Sequence, residues 1–134
     1  GAESVRLSAK LEAETAELPE EEAREYLAML GIESTDFEGF VRAAYQLLGL
    51  ITFFTANENE SPAWTVRKGS TGRRAAGRVH SDMERGFIAA EVAPWEDLVA
   101  AGSWAKARGE AEARLEGRDY IVEVGDTMLV RFNV

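Results

Sequence analysis

Cysteine is absent from this 134-residue chain, histidine occurs once and proline three times. The missing cysteine excludes a disulfide framework, thiol catalysis and cysteine-ligated zinc. No apolar run approaches the roughly 20 residues that a membrane-spanning helix needs, so no membrane partner is expected. The opening GAESVRLSAKLE has no apolar signal core, which makes a cytoplasmic location the simplest expectation. Positive charge is scarce as well: 15 Lys and Arg stand against 24 Asp and Glu, a formal net charge of −9. Spread evenly, that charge would repel a polyanion.

The charge is not spread evenly. Residues 1–50 hold 4 basic and 11 acidic side chains, a net of −7, whereas residues 51–134 hold 11 and 13, a net of −2. Within the second part, Arg67, Lys68, Arg73, Arg74 and Arg78 share one stretch, residues 67–78, that contains no acid. A local basic patch can therefore coexist with an acidic whole; a solvated basic face with no partner is the plainer alternative. With 46% apolar and 29% charged residues, the composition is that of a folded globular chain rather than a disordered one. The length suits one ordinary domain, or a compact domain of about 80 residues carrying a separate helical piece.

Alternation around Val5 and Leu7 predicts a short strand ending at Ser8. A helix is expected from Pro19 to Leu30, with Glu20, Glu21 and Glu22 at its positive end, Ala23, Tyr26, Leu27 and Leu30 on one face and Gly31 as its stop. A second helix follows. Thr35 and Glu38 match a capping box, Phe37, Phe40, Val41, Ala44, Leu47 and Leu48 recur at helical spacing, and Gly49 ends the run. ITFFT at 51–55 and AWTVR at 63–67 then predict an antiparallel strand pair around the polar loop NENESP. A short helix is expected over Arg74–Val79, a strand over FIAAEV at 87–92, and a short helix with an irregular crossing between Pro94 and Glu112. YIVEV at 120–124 and MLVRFNV at 128–134 read as two strands reversing at Gly125-Asp126. Four to five strands crossed by a helix describe a small α+β domain over residues 51–134, with a helical piece over 1–50. No internal repeat or low-complexity tract is present.

His80, the one histidine, lies with Asp82 and Glu84 in RVHSDMERGF and offers three roles: acid-base or metal chemistry, a ligand contact, or a structural corner. One histidine with two nearby carboxylates specifies no metal site and no hydrolytic centre, so no catalytic and no metal-ligating residue is assigned. Ser81 or Asp82 can cap a helix, and the ring can tie neighbouring loops together. KGSTGRRAAG lacks the GxxxxGK[ST] ending on which a phosphate-cradling NTPase loop depends. It can instead expose adjacent arginines on a glycine-bracketed loop, where charge supplies affinity for RNA phosphates. The glycines alone need signify only turns. Phe53, Trp64, Phe87, Tyr120 and Phe132 fall in strand-like runs and are expected in the core, while Trp95 and Trp104 flank a less regular segment and could line a groove or stack on an unpaired base. Glu12, Glu14 and Glu17 read as a solvated helix or loop surface.

Several blocks taken in order carry more than any single motif: SAKLE at 8–12, LLGLITFFTA at 47–56, AWTVRKG at 63–69, AAGRVHSDMERGFIAAEV at 75–92 and RLEGRDYIVEVGDTMLVRFNV at 114–134. Together they resemble the C-terminal part of the YchF/OLA1-type GTPases and ATPases of the Obg-related class. The resemblance implies an α+β fold: a β-grasp-like TGS domain over residues 51–134, preceded over residues 1–50 by the end of a P-loop G domain. It implies that Ser8, Ala9 and Lys10 belong to the last nucleotide-binding signature, near the base. ATP or GTP with Mg would be bound by the complete protein, whose phosphate loop would lie upstream; the 134 residues alone are expected to hold no cofactor and to be non-catalytic. Implied partners are the ribosome or structured RNA, contacted through Arg67, Lys68, Arg73, Arg74, Arg78, His80 and Arg85, and the G domain of the same protein. Two positions depart from the family pattern. Asn57 stands where glycine is common, a residue that also tolerates a left-handed turn, and Met83 stands where an aromatic is common. An oligomeric state does not follow from these residues.

Overall fold

The computed structural model describes residues 4–33, 35–57, 60–110 and 112–134. Two compact units are present, Gly1–Leu48 and Gly49–Val134.

The first unit is helical. α1 (Ala9–Ala16) starts where the Ser8 hydroxyl accepts from the Leu11 N–H at 3.4 Å, and α2 (Glu20–Met29) follows Pro19 with three glutamates in its first turn. The predicted strand ending at Ser8 is absent: residues 4–8 carry no regular structure, because a strand needs a hydrogen-bonding neighbour and the described part of this unit has none. Ser8 is a helix cap instead. The Tyr26 hydroxyl donates to Glu14 Oε2 at 2.7 Å and ties α2 to α1. Gly31, at φ +73°, ends α2 with Gly31 N–H on the Ala28 carbonyl and Ile32 N–H on that of Leu27, the left-handed stop that glycine adopts without a Cβ penalty. α3 (Phe37–Leu47) begins one residue later than the capping-box reading, with Asp36 rather than Thr35 at its N-cap.

The second unit is built on a five-stranded sheet: β1 (Leu50–Thr55), β2 (Ala63–Arg67), β3 (Phe87–Pro94), β4 (Arg114–Glu116) and β5 (Asp126–Phe132), in the order β2-β1-β5-β3-β4. β1 and β5 are parallel at its centre and the remaining neighbours are antiparallel. Between β2 and β3 lie α4 (Gly72–Val79) and α5 (Ser81–Arg85); between β3 and β4 lie α6 (Trp95–Ala101) and α7 (Trp104–Gly109). This mixed sheet is the α+β, β-grasp-like arrangement, seven helices being present among the described residues of the whole chain.

Ile51, Phe53, Val66, Phe87, Ala90, Val92, Val122 and Met128 form the core with Ala75 and Ala76 of α4, whose small side chains let the helix lie close on the sheet. Glu91, only 4% exposed, is held between the guanidinium groups of Arg131 on β5 and Arg108 on α7, the latter with its Nε 2.8 Å from the carboxylate. Pairing is what makes a buried charge tolerable there.

The predicted hairpin of 120–124 with 128–134 does not form. β5 has β1 on one side and β3 on the other, so neither edge is left for a third partner. Residues 120–124 are drawn elsewhere: Gly72 N–H donates to the Tyr120 carbonyl at 2.7 Å and Val122 N–H to that of Ser70 at 3.0 Å. Asp126 Oδ2 accepts from the Tyr120 hydroxyl at 2.9 Å and the Glu123 N–H at 2.8 Å, fixing the loop. β4, three residues long, gave no period-two signal in the sequence, and the segment 94–112 carries two helices where one and an irregular crossing were expected. Phe53 and Phe87 are core as expected and Trp64 and Tyr120 partly buried, but Phe132, near the chain's end, is 40% exposed.

Candidate nucleic-acid interface

The basic corner is assembled from the end of β2, a tight turn and α4. Lys68 N–H donates to the Gly49 carbonyl at 2.8 Å, Gly69 takes φ +84° and Ser70 N–H closes on Arg67 at 3.0 Å. The Thr71 hydroxyl accepts from Arg74 N–H at 3.4 Å and caps α4. α4 is Ala- and Gly-rich for a geometric reason. Gly72, Ala75 and Ala76 are buried, while an added Cβ at Gly77 would lie 3.0 Å from that of Glu84, so glycine there lets α5 fold against α4.

Helical periodicity then divides the arginines. Arg74 and Arg78, four residues apart, share one face, and with Arg67 they line a hollow of about 370 Å³ whose walls include Leu50, Val66 and Ser70. All three are exposed, and no carboxylate lies within ion-pair distance of them among the described residues. Arg73 faces α5, its Nε donating to the Glu84 carbonyl at 3.0 Å. Arg85 pairs with Asp82 at 2.7 Å. Lys68 is exposed on the turn and lies outside the hollow.

His80 is the hinge between two helices. Its N–H closes α4 on the Ala76 carbonyl at 3.1 Å, and its Nδ1 accepts from Asp82 N–H at 3.2 Å to cap α5. That bond engages Nδ1 with the backbone. Asp82 is shared with Arg85, and among the described residues no three His, Asp or Glu side chains converge as metal ligands. The corner reading of His80 is the one the geometry displays.

Ser8, Ala9 and Lys10 lie in the first unit and are exposed. Ser8 borders a hollow of about 180 Å³ with Arg6, Leu11, Glu12, Ile32, Thr35 and Asp36, whereas Lys10 is 3.7 Å from Glu14 in an exposed i,i+4 pair. The Ser8 hydroxyl is engaged by the Leu11 N–H, and Ala9 and Lys10 open α1.

Trp104 is half-buried with its Nε1–H on the Ala56 carbonyl at 3.1 Å; Trp95 is 46% exposed and borders Gly125. Neither ring lines the basic hollow. The sequence reading missed the Tyr120 network. Burial, then the hydrogen bond to Asp126, push the Tyr120 phenol well above its ordinary range, against a smaller opposing pull from Arg114. The Arg114 guanidinium lies over the ring, 6.0 Å from its centroid. Tyr and Asp six residues apart across a Gly-Asp turn carry no periodic signal that would announce such a bond.

A β-grasp-like domain with a cationic hollow beside α4, preceded by a helical unit, is thus the class of molecule that fold and site define. Residues 50–133 match the YchF-GTPase_C family, described as "Protein of unknown function (DUF933)", and the chain belongs to that family. It is 47% identical over 133 residues to the ribosome-binding ATPase YchF of Bacillus subtilis, a match covering 99% of this chain and 36% of that protein. Against the Obg-like ATPase 1 of Caenorhabditis elegans the identity is 38%, over 99% of this chain and 33% of the relative. The structure of the Schizosaccharomyces pombe YchF GTPase superposes with a TM-score of 0.83 at 30% identity, covering 93% of this chain and 33% of that one. A GTP-binding protein from Pyrococcus horikoshii OT3, 19% identical with a TM-score of 0.54, shares the fold. The chain spans about a third of the length of the curated relatives it matches.

Proposed function

We propose that the chain is the C-terminal part of a ribosome-associated, nucleotide-dependent, translation-factor-like protein of the cytoplasm, and that its second unit is a non-catalytic TGS-type docking module for the ribosome or structured RNA. The observation that carries this reading is the set of unpaired arginines gathered at one hollow, on an otherwise acidic chain whose relatives are named ribosome-binding ATPases. In the complete protein, Ser8 and Ala9 would hold the base edge of ATP or GTP and Mg would accompany its phosphates. When bound, the nucleotide would supply the hydrolysable phosphoanhydride, and Ser8, Ala9 and Lys10 would orient its base end.

Cosedimentation with purified ribosomal particles over a salt series tests the proposal. Binding that weakens steeply as salt rises is expected, since released counterions drive such contacts; failure to cosediment at low salt would sink it. ATP turnover by the 134-residue chain should not exceed that of a denatured control.

A second reading, docking only to the G domain of the same protein, is favoured by α3. Phe37, Phe40, Val41, Leu47 and Leu48 are all at least 39% exposed, an apolar set that water disfavours. Under that reading Phe40→Ser with Leu47→Ser abolishes association with a separately supplied G domain, and neutralising the arginines leaves it intact.

A further inference from the structure

We infer that the hollow beside β2 and α4 is a subsite for the phosphodiester backbone of a single RNA strand, held by Arg67, Arg74 and Arg78, and that it reads no bases. The inference rests on the ribosome-docking reading and narrows it from seven candidate residues to three.

The geometry separates these three from the rest of the corner. Arg74 and Arg78 stand one turn apart on α4, a rise of about 6 Å along the axis, which is comparable to the spacing of successive phosphates along a strand. Arg67 faces them from the end of β2, the outer strand of the sheet, so among the described residues no further strand pairs on that side of the hollow. Each guanidinium keeps its fork of N–H donors for a ligand, and a fork matches two phosphate oxygens at once. By contrast Arg73, Arg85 and His80 each have one polar atom already engaged: Arg73 Nε with the Glu84 carbonyl, Arg85 Nη2 with Asp82 Oδ1 and His80 Nδ1 with the Asp82 N–H. The hollow is lined by aliphatic, hydroxyl and guanidinium groups with no aromatic ring, and stacking on a ring is the usual way an unpaired base is recognised. Contacts confined to phosphates predict affinity that depends on salt and not on sequence.

The test measures binding of the 134-residue chain to labelled 12-nucleotide oligouridylate and oligoadenylate, to ribosomal particles and to polyglutamate. The triple variant R67Q/R74Q/R78Q is set against R42Q/K106Q/R118Q, which removes the same charge from exposed positions outside the hollow. The hollow variant should lose on the order of tenfold or more for both oligonucleotides and for ribosomal particles, and its log–log salt slope should flatten by about 2, three contacts at roughly 0.7 each. The other triple variant should stay within about twofold, because screened charges outside the contact contribute little. Ribosome binding equal in the two triple variants overturns the subsite and leaves the docking reading standing; no ribosome binding by the unchanged chain overturns both. Tighter binding of polyglutamate than of RNA, or a marked preference between the two oligonucleotides, overturns the phosphodiester assignment. Should the glutamine variant melt early, R67K/R74K/R78K decides. It keeps charge but loses the fork, so it should retain the salt slope with severalfold weaker affinity, and unchanged affinity overturns the three-arginine clamp.

Discussion

Thirteen of the fourteen buried apolar side chains among the described residues belong to Gly49–Val134, and Leu27 alone represents Gly1–Leu48. Helical periodicity is clear in both units, so pattern does not explain the difference. Topology does: the second unit closes a sheet under α4 and buries both partners, whereas α3 of the first carries an amphipathic pattern with no buried residue. An amphipathic face stabilises a fold only through the surface that covers it.

Replacing the fully buried Phe53 attacks the self-sufficient unit at its centre. Phe53→Ala should cost about 3–5 kcal/mol, read as a lower denaturant midpoint of sheet unfolding, with the α1–α2 helical signal changing less. A cost near zero would show that the second unit's core is not what holds it. Thr71→Ala removes the α4 cap and should cost about 1 kcal/mol in the same assay, while Thr71→Ser should restore most of it. Alkaline pH supplies a smaller, directional probe. The folded-state Tyr120 phenol is raised above its ordinary value, about 10, so its contribution is fully present below that pH and is lost as pH climbs toward the folded value. Tyr120→Phe should remove this alkaline loss, and difference titration of tyrosinate absorbance should show one late-ionising phenol missing. Smallest is Phe40→Ser, on the exposed face of α3: within about 0.5 kcal/mol, with helicity preserved. A large loss there would mean that α3 is covered within this chain.

How much of this was readable beforehand follows the range of each interaction. α2, α3, β1, β2 and β3 were legible to within a few residues because their signals, Pro19 with three glutamates, Gly31, the alternation in ITFFT and AWTVR, are local. The strand at Val5–Leu7 and the hairpin at 120–124 were not, since a strand exists only with a partner and period-two patterning does not name one. Four apolar residues of five at YIVEV could have joined the sheet; Asp126, Ser70 and Gly72 hold that segment as a loop over the start of α4. The basic stretch was visible as composition, and its division was not. Arg73 and Arg74 are neighbours in the chain and face different partners on the helix.

The sequence by itself determined α2, α3, α4 and the strands β1, β2 and β3, the charge asymmetry between the two halves and the presence of a basic corner, all properties of residue identity and short-range spacing. Tertiary structure alone decided that Arg73 is engaged while Arg74 stays free, because the Glu84 carbonyl reaches Arg73 only where α5 folds back over α4 at the His80 hinge, whereas the Arg85–Asp82 pair is local to α5. It also decided that the last strand lies between β1 and β3, since a parallel neighbour more than seventy residues earlier in the chain leaves no mark in local pattern.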